Sequence, residues 1–102
     1  MKTARFLAQL PGWVADARLY EVDPPMVWTE WDLESASQVE HPAGLVIVSA
    51  TDVPFTGPET YIFPAKRVGD EAELADWCEL DGSFRGGMDH VEALRRAGYE
   101  VE

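Results

Sequence analysis

Leu45, Val46, Ile47 and Val48 form one unbroken apolar run, and β-type residues continue to Val53. A run of this kind predicts a strand over Leu45 to Val53 that is buried on both faces. Pro54-Phe55-Thr56-Gly57-Pro58 then supplies turn chemistry. Thr60 to Phe63 is a second β-type run, ended by Pro64. The linker is too short for a crossover, so the two strands pair as an antiparallel hairpin. Upstream, Arg18 to Val22 alternates as a short strand does, until Asp23-Pro24-Pro25 stops it. Met26 to Asp32 is rich in β-branched and aromatic residues and predicts another strand. Leu33 to Ala43 is polar, has Pro42 and Gly44 at its end, and reads as a loop. Phe6, Leu7 and Leu10 predict one helical turn before Pro11-Gly12.

Past the hairpin, Ala65 to Ala75 is polar. Asp70 with Glu73 matches a capping box, with Leu74, Trp77 and Cys78 at helical spacing. The same residues also suit an irregular return strand through Trp77 and Leu80, so 71–79 stays open between helix and strand. The C-terminal signals agree with one another. Asp89 sits at an N-cap position with Glu92 three residues on, and Val91, Leu94 and Ala97 make an apolar stripe. Arg95 and Arg96 fall in the last turn, where the helix dipole favours cations. Gly98 suits a left-handed stop that brings Tyr99 back onto Leu94, and Val101 adds a last strand residue. The predicted fold is α+β: a small, mostly antiparallel β-sheet with one C-terminal helix packed on a face, in a single domain over 1–102.

Composition agrees with a folded chain. Of 102 residues, 46% are hydrophobic and 11% aromatic, and the acids are dispersed among apolar positions. The single cysteine, Cys78, excludes an intramolecular disulfide and fits a reducing compartment. Lys2 and Arg5 precede an apolar run too short for a signal-peptide core, and nothing approaches the roughly 20 apolar residues of a membrane span. The expectation is a soluble intracellular protein.

Charge changes the picture more. The formal net charge is −11, from 19 acids and 8 bases. No lysine or arginine lies between Leu19 and Ala65, a stretch that holds Glu21, Asp23, Glu30, Asp32, Glu34, Glu40, Asp52 and Glu59. Such a surface repels nucleic acid and anionic membrane and attracts basic proteins.

Catalytic chemistry finds little support. Gly82, Gly86 and Gly87 precede a helix but match neither the dinucleotide fingerprint nor the P-loop. Asp89 and Glu92 also place the wrong charge there for a phosphate, so the glycines read as turn residues. His41 and His90 are the only histidines, and Cys78 has no ligand at zinc spacing. No serine sits in a nucleophile elbow. No catalytic, cofactor or metal residue is assigned.

The tryptophans are the remaining signal: Trp13, Trp28, Trp31 and Trp77. On a strand over Met26 to Asp32, Trp28 and Trp31 point to opposite faces. Core packing for both is the preferred reading. The alternative is one exposed interface anchor flanked by acids. On that alternative Trp28, Glu30, Trp31 and Asp32 are the candidate partner-contact residues.

Gly57-Pro58-Glu59-Thr60-Tyr61-Ile62-Phe63-Pro64-Ala65, Asp76-Trp77, Glu79-Leu80, Gly82 to Gly87, Asp89-His90, Ala93-Leu94 and Gly98-Tyr99-Glu100-Val101 resemble a family of small proteins encoded by actinobacterial phages. Ala17 to Tyr20, Asp23-Pro24-Pro25 and Val46 to Ala50 are similar as well. The family brings no activity and no catalytic residues. What the resemblance implies is a phage accessory protein in the cytoplasm of a bacterial host. The function expected is that of a non-enzymatic binder of a host protein with a basic surface. An acidic DNA mimic is one alternative, since duplex DNA carries about one charge per 1.7 Å. A minor virion component or an enzyme is the other.

Overall fold

The computed structural model describes residues 2–11, 16–53, 57–77, 79–80, 82–85 and 89–102. Seven strands and one helix follow in the order β1 (Thr3–Leu10), β2 (Asp16–Asp32), β3 (Ser37–Val53), β4 (Gly57–Val68), β5 (Glu71–Leu74), β6 (Phe84–Arg85), α1 (His90–Arg96) and β7 (Glu100–Val101). The sheet runs β5-β4-β3-β2-β1-β7, and β6 also pairs with β4. Sheet dominates, as the sequence suggests, with one short helix. The expectation of a mostly antiparallel sheet is corrected: the parallel β1–β7 pair makes the sheet mixed.

The predicted strand at Leu45 to Val53 forms, inside the longer β3. Alternation puts Val46 and Val48 on one face and Ile47 on the other, and all three are buried. The first face packs with Tyr20, Ile62, Leu80, Leu94 and Tyr99 under α1. The second packs with Ala17, Leu19 and Ala65, flanked by Leu7 and Leu10. The predicted β3–β4 hairpin is antiparallel, Leu45 pairing with Ala65 through to Val53 with Gly57. Residues 54–56 of its expected turn lie outside the described residues.

Pro64 does not end β4. It pairs with Val46, and its missing N–H falls where the outer edge of β4 carries neither β5 nor β6. In that gap Ala75 N donates to the Pro64 carbonyl, Leu80 N to the Ile62 carbonyl, and Ile62 N to Ser83 Oγ. The open choice at 71–79 resolves into a short strand over Glu71–Leu74, which returns along β4 from a two-residue turn at Gly69-Asp70. No helix forms among the described residues there, and Trp77 and Leu80 are outside strands.

Three expectations are corrected. The helical turn at Phe6 to Leu10 is strand: so short a run does not sustain a helix alone, and pairing with β2 satisfies its backbone, with a register shift between Phe6 and Ala8. The two strands expected around Asp23-Pro24-Pro25 are one bent β2. Val22 to Pro25 face the single Gly44, and the Asp23–Pro24 bond is cis. The expected loop at Leu33 to Ala43 is a four-residue turn followed by the first part of β3, which pairs with β2 down to Asp32–Ser37.

The C-terminal helix follows its signals. Asp89 accepts from the N–H groups of Val91 and Glu92, and Arg95 and Arg96 occupy the last turn. Gly98 takes φ +94°, and Tyr99 N donates to the Leu94 carbonyl. The buried face is His90, Ala93 and Leu94 rather than a stripe through Val91. His90 Nε2 lies 2.8 Å from the Asp16 carbonyl and ties α1 to the start of β2.

At Gly82 (φ +99°) an added Cβ would lie 2.3 Å from the Ala93 carbonyl oxygen. Helix backbone cannot yield as a side-chain tip does, so Gly82→Ala should cost about 3 kcal/mol or more in urea unfolding. Gly57→Ala, where the space is open, should cost only about 1 kcal/mol. The Asp16 carboxyl is held below its ordinary value by the Gln9 side-chain amide, with the charges of His90 and Arg18 adding, against a partial desolvation. Its stabilisation is present above the ordinary carboxylate range and is lost as pH falls through the lowered folded value. Asp16→Asn should therefore lower the melting temperature at neutral pH, and the two proteins should converge in acid.

Candidate partner-binding arm

Beyond the bend at Val22 to Pro25, β1 no longer accompanies β2. Its pairing stops at Thr3–Asp23. On the other side, β4 stops accompanying β3 at Leu45–Ala65. Among the described residues, Met26–Asp32 and Ser37–Ala43 therefore pair only with each other. The result is a two-stranded arm extending from the sheet, with both strand edges open.

Alternation fixes what each face carries. Met26 and Ala43 lie at the base on one face and are buried in the main core. Next along that face, Trp28 stacks on His41 with ring centroids 4.7 Å apart, and Trp28 also packs against the core. Glu30 follows, its carboxylate 3.4 Å from His41 Nε2. The opposite face carries Val27 with Pro42, Thr29 with Glu40, and Trp31 with Gln38. Trp31 is 57% exposed, so the reading of both tryptophans as core is corrected: a two-stranded arm has no second layer to cover that face. Val27 and Leu33 are exposed too, Leu33 at 85%.

Asp32 has a local task. Its carboxylate accepts from Glu34 N at 3.0 Å and from Ser35 Oγ at 3.1 Å, which braces the turn. Ala36 closes the turn with φ +51°. Of the four candidates, Glu30, Trp31 and Asp32 line one shallow depression with Leu33, Glu34, Val39 and His41, and Trp28 stands beside it on the His41 ring. The sequence reading missed Leu33, Val39 and His41 because they fall in the segment taken for a loop. The available signal was weak: Val39 is the only branched aliphatic residue at positions 34–43.

Elsewhere, the described residues contain no group of three His, Cys, Asp or Glu side chains arranged to hold a metal. Cys78, Trp13, Gly86 and Gly87 lie outside the described residues. Asp16 and His90 approach to 3.9 Å, but His90 Nε2 already meets the Asp16 carbonyl. No described helix is long and apolar enough to cross a membrane. No family model, curated protein or solved structure matches the chain.

Asp32→Ala removes the brace of the turn and should loosen the arm's tip without unfolding the sheet. Amide exchange at 33–37 should rise several-fold, while that of Val46 and Val48 stays slow.

Proposed function

We propose that the protein is a non-enzymatic binding module that engages a protein with a basic surface through the β2–β3 arm. The observation that carries this reading is the pairing of exposed Trp31, Leu33 and Val39 with Glu30, Asp32, Glu34 and Glu40 on a projection that has no lysine or arginine. A rigid aromatic supplies area at small entropic cost, and acids around it steer a cationic partner. Trp28 packs against the core and stacks on His41, which anchors the arm at its base.

The resemblance to small proteins of actinobacterial phages supports a partner in the cytoplasm of a bacterial host. A DNA mimic is the weaker reading for this arm. A mimic needs its acids in one row, whereas Glu30 and Asp32 lie on one face and Glu40 on the other.

The test is a nuclease-treated capture from actinobacterial lysate with wild type and Trp31→Ala side by side. Trp31 is exposed, so its loss should leave stability within about 0.5 kcal/mol. Binding should weaken by about 2 kcal/mol or more, roughly 30-fold. A partner held equally by both proteins would remove the aromatic anchor from the reading. A complex dissolved entirely by salt, with no effect of Trp31→Ala, would favour the mimic.

A further inference from the structure

We propose that the protein forms a two-fold dimer in which the free edge of β2 pairs antiparallel with the same edge of a second copy, centred on Thr29. This inference does not depend on the host-partner reading.

The first step is which backbone groups face outward. In an antiparallel pair, residues alternate between exchanging their N–H and C=O and turning both away. Pro42 has no N–H to give Val27, so Val27–Pro42 is an outward-turning pair. The four-residue turn closing on Asp32–Ser37 sets the same parity from the other end. Hence Val27, Thr29 and Trp31 turn their backbone groups to the β2 edge. On the β3 edge the corresponding residues are Pro42, Glu40 and Gln38, and Pro42 blunts it. The β2 edge has no proline, lysine or arginine between Met26 and Asp32. Its only charges are Glu30 and Asp32, so it lacks the proline and lysine that commonly guard an edge.

The second step is register. Only outward residues can pair across the new interface. Centring on Thr29 sets Trp31 opposite Val27 of the second copy, and Val27 opposite Trp31. It also sets Glu30 opposite Trp28 and Asp32 opposite Met26. All three outward residues are used, aromatic meets β-branched side chain, and no acid directly faces an acid. Moving the centre one residue toward the turn puts Glu30 opposite Glu30. Moving it one residue back puts Trp31 opposite Pro25, which has no N–H. The chain is thus self-complementary in one register, as a two-fold interface requires.

The third step is where the tip lands. The same register brings the end of the second copy's β2, at Asp32, beside Met26 and next to the bend at Val22 to Pro25. There a groove opens beyond the end of β1, lined by Lys2, Pro25, Val27, Leu80, Ala97 and Tyr99. Lys2 is the one cation in that lining, and it stands over the Tyr99 ring at 5.3 Å. The Asp32 carboxylate, opposite Met26 on the α1 side, is thereby directed toward a groove with a lysine at its rim. Edge pairing leaves both sheet faces of each arm open, so a dimer presents two arms side by side.

The experiment is sedimentation velocity and light scattering on the full chain across a dilution series at moderate salt, which screens repulsion between two chains of net charge −11. Wild type should show twice the 11.4 kDa chain mass and dissociate on dilution. Thr29→Pro deletes an outward N–H without touching the β2–β3 ladder and should run at the single-chain mass with an unchanged circular dichroism spectrum. The double variant Val27→Lys, Trp31→Lys leaves the backbone intact and should also be monomeric, which covers the case of a proline variant that does not fold. Wild type at single-chain mass up to its solubility limit overturns the proposal. So does a dimer that survives the double lysine variant.

Discussion

The antiparallel pairing of β2 with β3 is the constraint from which the rest of the molecule hangs. Each strand is 17 residues long, and their ladder runs from Asp16–Ala50 to Asp32–Ser37 with a single interruption. In its first half the ladder is the middle of the sheet: β1 and β4 flank it, and both faces are covered by apolar side chains. In its second half no described strand flanks it. One continuous element therefore supplies both the core and the projecting arm, and any force on the arm is transmitted to the core through the strands themselves.

The bend divides these two environments. Val22 to Pro25 are surplus to the ladder, and there Pro24 and Pro25 bring no N–H to donate. Asp23 is the last residue of β2 to pair with β1. Tyr99 fastens the bend from the helix side: its hydroxyl donates to the Pro24 carbonyl. Burial, with Asp23 adding, pushes the Tyr99 phenol above its ordinary value, so it stays a neutral donor. Leu94 and Tyr99 are brought together by the helix stop, so α1 sets the base of the arm as well as covering the sheet.

The parts legible in the sequence were those where local chemistry and tertiary packing agree. Leu45 to Val48 reads as a doubly buried strand and is one; Asp89, Arg95, Arg96 and Gly98 mark the helix, and it lies between them. Legibility failed where long-range pairing overrode a local preference. Leu33 to Ala43 has too little apolar content to predict a strand, yet half of the arm is built from it, because β2 offers it a ladder. Asp70 and Glu73 imitate a helix start, but Gly69-Asp70 is placed to turn β4 back on itself. The arm's candidate residues were half legible for the same reason. Alternation separated Trp28 from Trp31, but only the absence of a second layer shows which is exposed.

The acidic stretch also acquires a structural sense from this arrangement. An exposed ribbon with tryptophan, valine and leucine on it is an aggregation hazard when its edges are open. Charges near an apolar surface do not abolish association; they select it. In registers that set Glu30 or Asp32 against one another, repulsion between desolvated carboxylates opposes the contact. In the register centred on Thr29 they would face Trp28 and Met26 instead. The absence of lysine and arginine from Leu19 to Ala65 then has a double effect. It removes the cations that would let copies stack in arbitrary registers through their acids, and it keeps the arm acidic along its whole length.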